Sequence, residues 1–187
     1  MSTATPRTDR LEPPVRPERP ERPSIARPAN FKLLDQTHQQ TMHMLEQLTE
    51  MLEQMESGDR QDQASRLAAE VHSFFETQVR QHHQEEETRV FPALLKSDDA
   101  ELVHHVKRLQ QDHGWLEEDW RLLGPQIEAI ARGYNWYDLP MLRQGLPVFV
   151  ALNQEHVLLE ETVVYPAARQ LLQQRANHPL DDNQPAA

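Results

Sequence analysis

The sequence predicts an all-α protein, an antiparallel up-down-up-down four-helix bundle with a disordered proline-rich N-terminal tail. Two observations support this fold class. Four long stretches place apolar side chains at helical spacing and are joined by short connections, which makes an antiparallel bundle the economical arrangement. The chain also has only five glycines and no long alternating stretches of Val, Ile and Thr, which disfavours a β protein.

The chain divides into a tail over residues 1–29, the bundle over 30–175 and a polar, frayed tail over 176–187. The first tail holds seven of the fourteen prolines, a density that favours polyproline II conformations over helix or sheet. A solvated, disordered tail is the simpler interpretation. The alternative is an arm that docks into a groove of a protein partner.

The first two helices have recognisable start and stop signals. Asn30 is a candidate N-cap for the first helix, which should run to about Glu56, with Gly58 just beyond its end. The second helix should start near Asp59 or Asp62. Its inward stripe is predicted to be Leu67, Val71, Phe75, Gln78, His82, Glu86 and Val90.

The third helix is expected from about Asp99, within a capping sequence, to Leu123. The dipeptide Gly124-Pro125 is expected to interrupt it, so that 126–132 form a separate helical piece. The fourth helix should start at the N-cap Asp138 and continue to about residue 174, with bends at Gly145 and Pro147.

Composition excludes several classes of function. The net charge is −11 and the pI is about 5.3, so nucleic acid and anionic membrane surfaces are not expected as partners. With no cysteine, the chain cannot form disulfides or thiolate metal sites. No run approaches the roughly 18 apolar residues of a membrane span, and we expect a soluble, cytoplasmic protein.

One phrase occurs twice in the chain. Residues 155–166 read EHVLLEETVVYP and residues 81–92 read QHHQEEETRVFP. Aligned on the final proline, His82 matches His156 and Glu86 matches Glu160. In each copy the two side chains are four residues apart, so they project from one face of a helix about 6 Å apart along its axis. The repeat predicts two helices that present equivalent ligands to a shared centre.

Each predicted helix carries one histidine within its apolar face: His38, His82, His113 and His156. Two buried glutamates beside four histidines are explained by bound metal, because a carboxylate inside a bundle is costly unless it is paired, protonated or bound to a cation. Such donors suit iron, manganese or zinc, and two carboxylates that bridge fit a dinuclear centre better than a mononuclear one. At 100° per residue His83 lies about 100° from His82, so it is expected to be a surface or flanking residue.

These residues resemble the hemerythrin-like (HHE cation-binding) family over about residues 33–172. The resemblance rests on Asp35–His38, Asp112-His113 and the two proline-closed phrases. It implies a four-helix bundle around a non-haem diiron centre with an oxo or hydroxo bridge, manganese and zinc being weaker candidates. In that arrangement Glu86 and Glu160 bridge the two ions, with His38 and His82 on one iron and His113 and His156 on the other.

The chain departs from the oxygen-carrying members of that family at one position. There the third helix carries His-x-x-x-His, whereas the residue four after His113 is Glu117. One iron therefore lacks a histidine, and Glu117, water or a flanking residue is a candidate for the vacant position.

Three functions are compatible with these residues. The first is a diiron protein that binds O₂ or senses oxygen, iron or nitric oxide. The second is an enzyme that turns over peroxide or NO at the same centre. The sequence shows no candidate general acid or base outside the ligands, so catalytic residues are not assigned. The third is a metal-free helical interaction module whose working part is the proline-rich tail.

Overall fold

The structure is a computed structural model that describes residues 29–58 and 61–177. These residues form a bundle of four long helices in up-down-up-down order, as the periodicity predicted. The first helix packs against the second and fourth, and the third packs against the same two. The predicted tails over 1–29 and 176–187, apart from residues 29, 176 and 177, lie outside the described residues.

Two of the four helices are composite. The first helix is α1 (Phe31–Ser57) and the third is α5 (Ala100–Ala131). The second consists of α2 (Gln61–Phe74), a π-helical segment (Phe75–Val79), α3 (Arg80–Glu85), a second π segment (Glu86–Val90) and α4 (Phe91–Leu94). The fourth consists of α6 (Leu139–Leu159), a π segment (Glu160–Val164) and α7 (Tyr165–Asn177).

The predicted helix caps are confirmed. The side chains of Asn30, Asp99 and Asp138 accept hydrogen bonds from backbone N–H groups in the first turns of α1, α5 and α6. These bonds satisfy donors that a helix start leaves unpaired. Gly58 ends α1 at φ +71°, and Gly133 follows α5 at φ +70°, a backbone region that glycine enters without steric cost.

The predicted break at Gly124-Pro125 is wrong, because α5 continues through Pro125 to Ala131. Proline removes one backbone hydrogen bond from a helix interior. The residues on both sides, Leu123 and Ile127, are buried in the same apolar cluster. We attribute the continuity of the helix to this packing, which holds it on either side of the missing bond.

Two of the π segments begin at the glutamates of the duplicated phrase. The N–H of Phe91 donates to the carbonyl of Glu86, and the N–H of Tyr165 donates to the carbonyl of Glu160, each five residues back. Pro92 and Pro166 come next, and a proline offers no N–H and keeps away from the carbonyl four residues before it. The wider turn therefore accommodates each proline in the first turn of a new α-helix.

The buried apolar side chains form two clusters, one toward each end of the bundle. The larger includes Leu48, Trp120 and Phe149, and the smaller is built around Phe91 and Tyr165. The polar residues described below lie between them. Within residues 29–58 and 61–177, no helix combines the length and the apolar character needed to cross a bilayer.

Candidate metal centre

Six of the seven predicted ligands come together between the two apolar clusters, and each is exposed by no more than 6%. They are His38 from the first helix, His82 and Glu86 from the second, His113 from the third, and His156 and Glu160 from the fourth. Every helix of the bundle thus contributes at least one donor.

One group of donors lies between the first, second and fourth helices. The Nε2 atoms of His38 and His82 are 3.0 Å apart. Glu160 Oε2 lies 3.1 Å from His38 Nε2, and Glu86 Oε1 lies 3.4 Å from His82 Nε2. One ligand atom from each of the four residues falls within 4.8 Å of all the others, close enough to surround a single cation.

A second group lies between the second, third and fourth helices and shares both glutamates. His113 Nε2 is 3.4 Å from Glu86 Oε2, and His156 Nε2 is 3.3 Å from Glu160 Oε1. Each glutamate therefore directs one oxygen to the first group and the other oxygen to the second. This is the arrangement that two carboxylates need in order to bridge two cations.

Three of the four oxygens of the two buried carboxylates lack a hydrogen-bond partner in the described part of the chain. Glu86 and Glu160 are both 0% exposed, yet Glu86 Oε2 and both oxygens of Glu160 make no hydrogen bond among the described residues. The histidine–glutamate separations above are close approaches without hydrogen-bond geometry, whereas the contact between the Nε2 atoms of His38 and His82 is a hydrogen bond. Two donors about 2.1 Å from one ion and at right angles to each other lie about 3.0 Å apart, comparable to the spacing found here. The residues fit a site for cations.

The two glutamates differ in their protonation. Burial, followed by the charge of Glu160, raises the pKa of Glu86 to about 7. Burial alone would also raise the pKa of Glu160, but the adjacent His156 and His38 outweigh it and hold that pKa well below its usual value. Without metal, the centre therefore has one carboxylate that is ionised by its histidine partners and one that resists ionisation.

The histidines also differ in protonation, three having a raised pKa and His82 a lowered one. Burial opposes their protonated forms, but the Glu160 carboxylate and Asp112 outweigh it and raise the pKa of His156 to about 10. The pKa of His38 and that of His113 are also raised, by Glu160 and Glu86 respectively. Burial lowers the pKa of His82 to about 3. A metal ion must displace protons from His156, His38 and His113, because only neutral imidazole binds metal.

Outer carboxylates orient two of the histidines. His38 Nδ1 lies 3.2 Å from Glu161 Oε1, and His113 Nδ1 lies 3.0 Å from Glu87 Oε1. Glu87 and Glu161 occupy the same position in the two copies of the phrase. With a proton on Nδ1 donated outward, each ring keeps the lone pair of Nε2 directed at the centre, which is the usual support for a metal-binding histidine.

The two copies differ at the residue before proline. Tyr165 donates its hydroxyl hydrogen to Glu86 Oε1, and its ring stacks on His38 with centroids 5.1 Å apart. The equivalent residue, Phe91, stacks on His113 at 5.6 Å without a polar group. Burial and the Glu86 charge raise the pKa of Tyr165, so its hydroxyl stays protonated beside the first donor group.

The structure does not bring Glu117 to the centre. Its side chain is exposed, and it belongs to none of the donor groups. His83, expected to be a surface or flanking residue, is buried at 7% exposure and forms a third group of nearby donors with His113 and His156.

The error over His83 has a structural cause. The Phe75–Val79 segment is π-helical, and a π turn contains more residues than an α turn. That segment precedes both His82 and His83, so it does not alter the angle of about 100° between them within α3. Gln78, predicted to face inward, is exposed, and Val79 is buried in its place. Because the second helix packs against both the first and the third helix, His82 faces His38, and His83 stacks on His113. In the sequence, the apolar Val79 four residues before His83 was the one indication that this face of the second helix is buried.

A family model described as the Hemerythrin HHE cation binding domain matches residues 30–168. The chain belongs to this family. A search of curated proteins and a search of solved structures each returned no match. The match extends into all four helices, and the buried His/Glu cluster lies within the matched residues.

Proposed function

We propose that this hemerythrin HHE protein is a non-haem diiron protein that binds O₂ or senses oxygen, iron or nitric oxide. The observation that supports it best is the division of Glu86 and Glu160 between two donor groups, each completed by two histidines. A donor set of imidazoles and carboxylates suits iron, whereas magnesium and calcium prefer sites made of oxygen ligands alone.

The chain's own residues would hold the ions and orient the site. His38 and His82 would serve one ion, His113 and His156 the other, and Glu161 and Glu87 would hold the rings of His38 and His113. Iron supplies the redox and ligand-binding chemistry when bound. An ion held by four protein donors would keep open positions at which a small diatomic molecule or peroxide could bind.

The buried carboxylate oxygens that lack hydrogen bonds within the described residues argue against a metal-free interaction module. Without a cation, the charge of Glu160 is offset only by the neighbouring histidines and Glu86 resists ionisation, and such buried acids destabilise a fold unless they are fully paired. A protein partner for the proline-rich tail remains compatible with a metal site, because the tail lies outside the bundle in sequence.

The test is the optical spectrum of the iron-loaded chain as O₂ is removed and restored. A visible spectrum that bleaches and returns over several cycles supports ligand binding. Sustained oxygen evolution from added peroxide would instead favour turnover. If the loaded chain shows neither behaviour, and NO leaves its spectrum unchanged, the proposed function is wrong.

A further inference from the structure

The second helix carries two adjacent histidines that contact different donor groups. His82 faces His38. His83 stacks on His113, with ring centroids 3.9 Å apart and planes 16° from parallel, and its centroid lies 5.6 Å from that of His156. One ring nitrogen of His83 falls within 4.8 Å of ring nitrogens of His113 and His156. The third donor group is therefore an extension of the second, made entirely of imidazoles.

The nitrogens of this group are buried and unsatisfied. His83 Nδ1, His113 Nε2 and both ring nitrogens of His156 make no hydrogen bond among the described residues. A buried polar atom without a partner destabilises a fold, and such atoms are rare in native proteins unless water or an ion satisfies them. Three buried imidazoles that bring ring nitrogens this close together, each with at least one unsatisfied nitrogen, point to a shared cation.

We propose that His83 is a ligand of the ion held by His113 and His156. This inference rests on the proposed diiron function and identifies the donor that the sequence leaves missing from the third helix. The exposed Glu117 is then not the replacement, and the vacant histidine position is filled from the second helix. The two ions become unequal, with three imidazoles on one and two on the other.

The alternative is that His83 only packs against His113. A substitution that keeps the stacking but removes the nitrogen separates the two roles. In His83→Phe an aromatic ring can still stack on His113, but no donor is present. In the matched control Glu117→Gln, the charge of the other candidate is removed from an exposed position.

The neighbouring cavity allows a second and independent test. A small cavity of about 20 Å³ is lined by His83 and Glu117 together with apolar side chains that include Leu116 and Phe149. Removing the ring in His83→Gly would join its space to this cavity. Added imidazole can then occupy the vacated position, whereas pyrrole has the same ring size but no nitrogen lone pair to donate.

The experiment measures bound iron per chain and the visible spectrum of the full-length protein and its variants after gel filtration. We expect wild type and Glu117→Gln to hold two ions, and His83→Phe and His83→Gly to lose one. Imidazole, but not pyrrole, should restore the second ion and the spectrum to His83→Gly. Far-UV circular dichroism establishes that each variant is folded.

Two results would overturn the assignment of His83. One is a folded His83→Phe that keeps two ions and an unchanged spectrum, which would show a packing role. The other is a His83→Gly variant that imidazole does not rescue, or that pyrrole rescues equally well. A wild-type chain that binds no iron would be a different failure, since it would contradict the diiron function itself.

Discussion

Glu86 should destabilise the metal-free protein above neutral pH, and replacing it should relieve that effect. Its pKa rises from 4.5 to about 7 because it is buried beside Glu160. A carboxyl whose pKa is higher in the folded chain takes up a proton on folding. The contribution of Glu86 to the free energy of unfolding therefore falls as the pH rises from 4.5 to about 7, and the penalty is complete above that pH.

The magnitude follows from the same pKa. At about 1.4 kcal/mol for each pH unit, a rise from 4.5 to about 7 amounts to about 3 kcal/mol. In Glu86→Gln the amide does not titrate, and its oxygen can still accept the hydrogen bond from Tyr165. Relative to wild type, metal-free Glu86→Gln should therefore gain about 3 kcal/mol of stability between about pH 4 and about pH 8.

The assay is urea unfolding of chelator-treated protein, followed by far-UV circular dichroism at the two pH values. Glu87→Gln is the matched control. A hydrogen bond from His113 lowers the pKa of Glu87, so this variant should lose stability relative to wild type as the pH rises. If Glu86→Gln shows no relative gain at the higher pH, Glu86 is not strained in the metal-free centre and the electrostatic reasoning is wrong.

Three further predictions test the parts of the fold that support the centre. Glu161→Gln should weaken iron binding by roughly 10–100-fold, because Glu161 orients His38; competition with a chelator measures this, and unchanged affinity would contradict it. Leu48→Ala, at a fully buried position, should lower the free energy of unfolding by about 2–5 kcal/mol but leave the iron content unchanged; loss of iron from the folded variant would count against separate roles for core and centre. Asp99→Ala should lower the free energy of unfolding by about 1 kcal/mol. If both proteins unfold at the same urea concentration, the Asp99 cap does not stabilise the helix.

The bundle and most of the centre could be predicted because the decisive signals are local. Helix caps such as Asn30 and Asp138 act through their own first turns. The duplicated phrase fixes the relative positions of histidine, glutamate and proline, and the proline marks the same helical irregularity in both copies. His82 and Glu86 could therefore be assigned by alignment with His156 and Glu160, without knowing how the helices pack.

The remaining errors concern features that depend on tertiary structure. Pro125 lies inside α5 because packing on both sides outweighs a local preference. His83 is buried because the second helix packs against the third helix as well as the first, and the periodicity of one helix does not reveal how many neighbours cover it. The outer role of Glu87 and Glu161 depends on histidines from other helices. Their matched positions in the two phrases showed that the two glutamates are equivalent, but did not show which residues they contact.

The most direct measurement of the central claim is the metal content and visible spectrum of aerobic protein purified without chelator, beside a His82→Ala/His156→Ala double variant. Each substitution removes one imidazole from a different donor group and leaves both glutamates in place. We predict two iron ions per wild-type chain, an iron-dependent visible spectrum, and loss of both in the folded double variant. A wild-type chain without bound metal, or a double variant that keeps the same iron and spectrum, would contradict a centre built from these histidines.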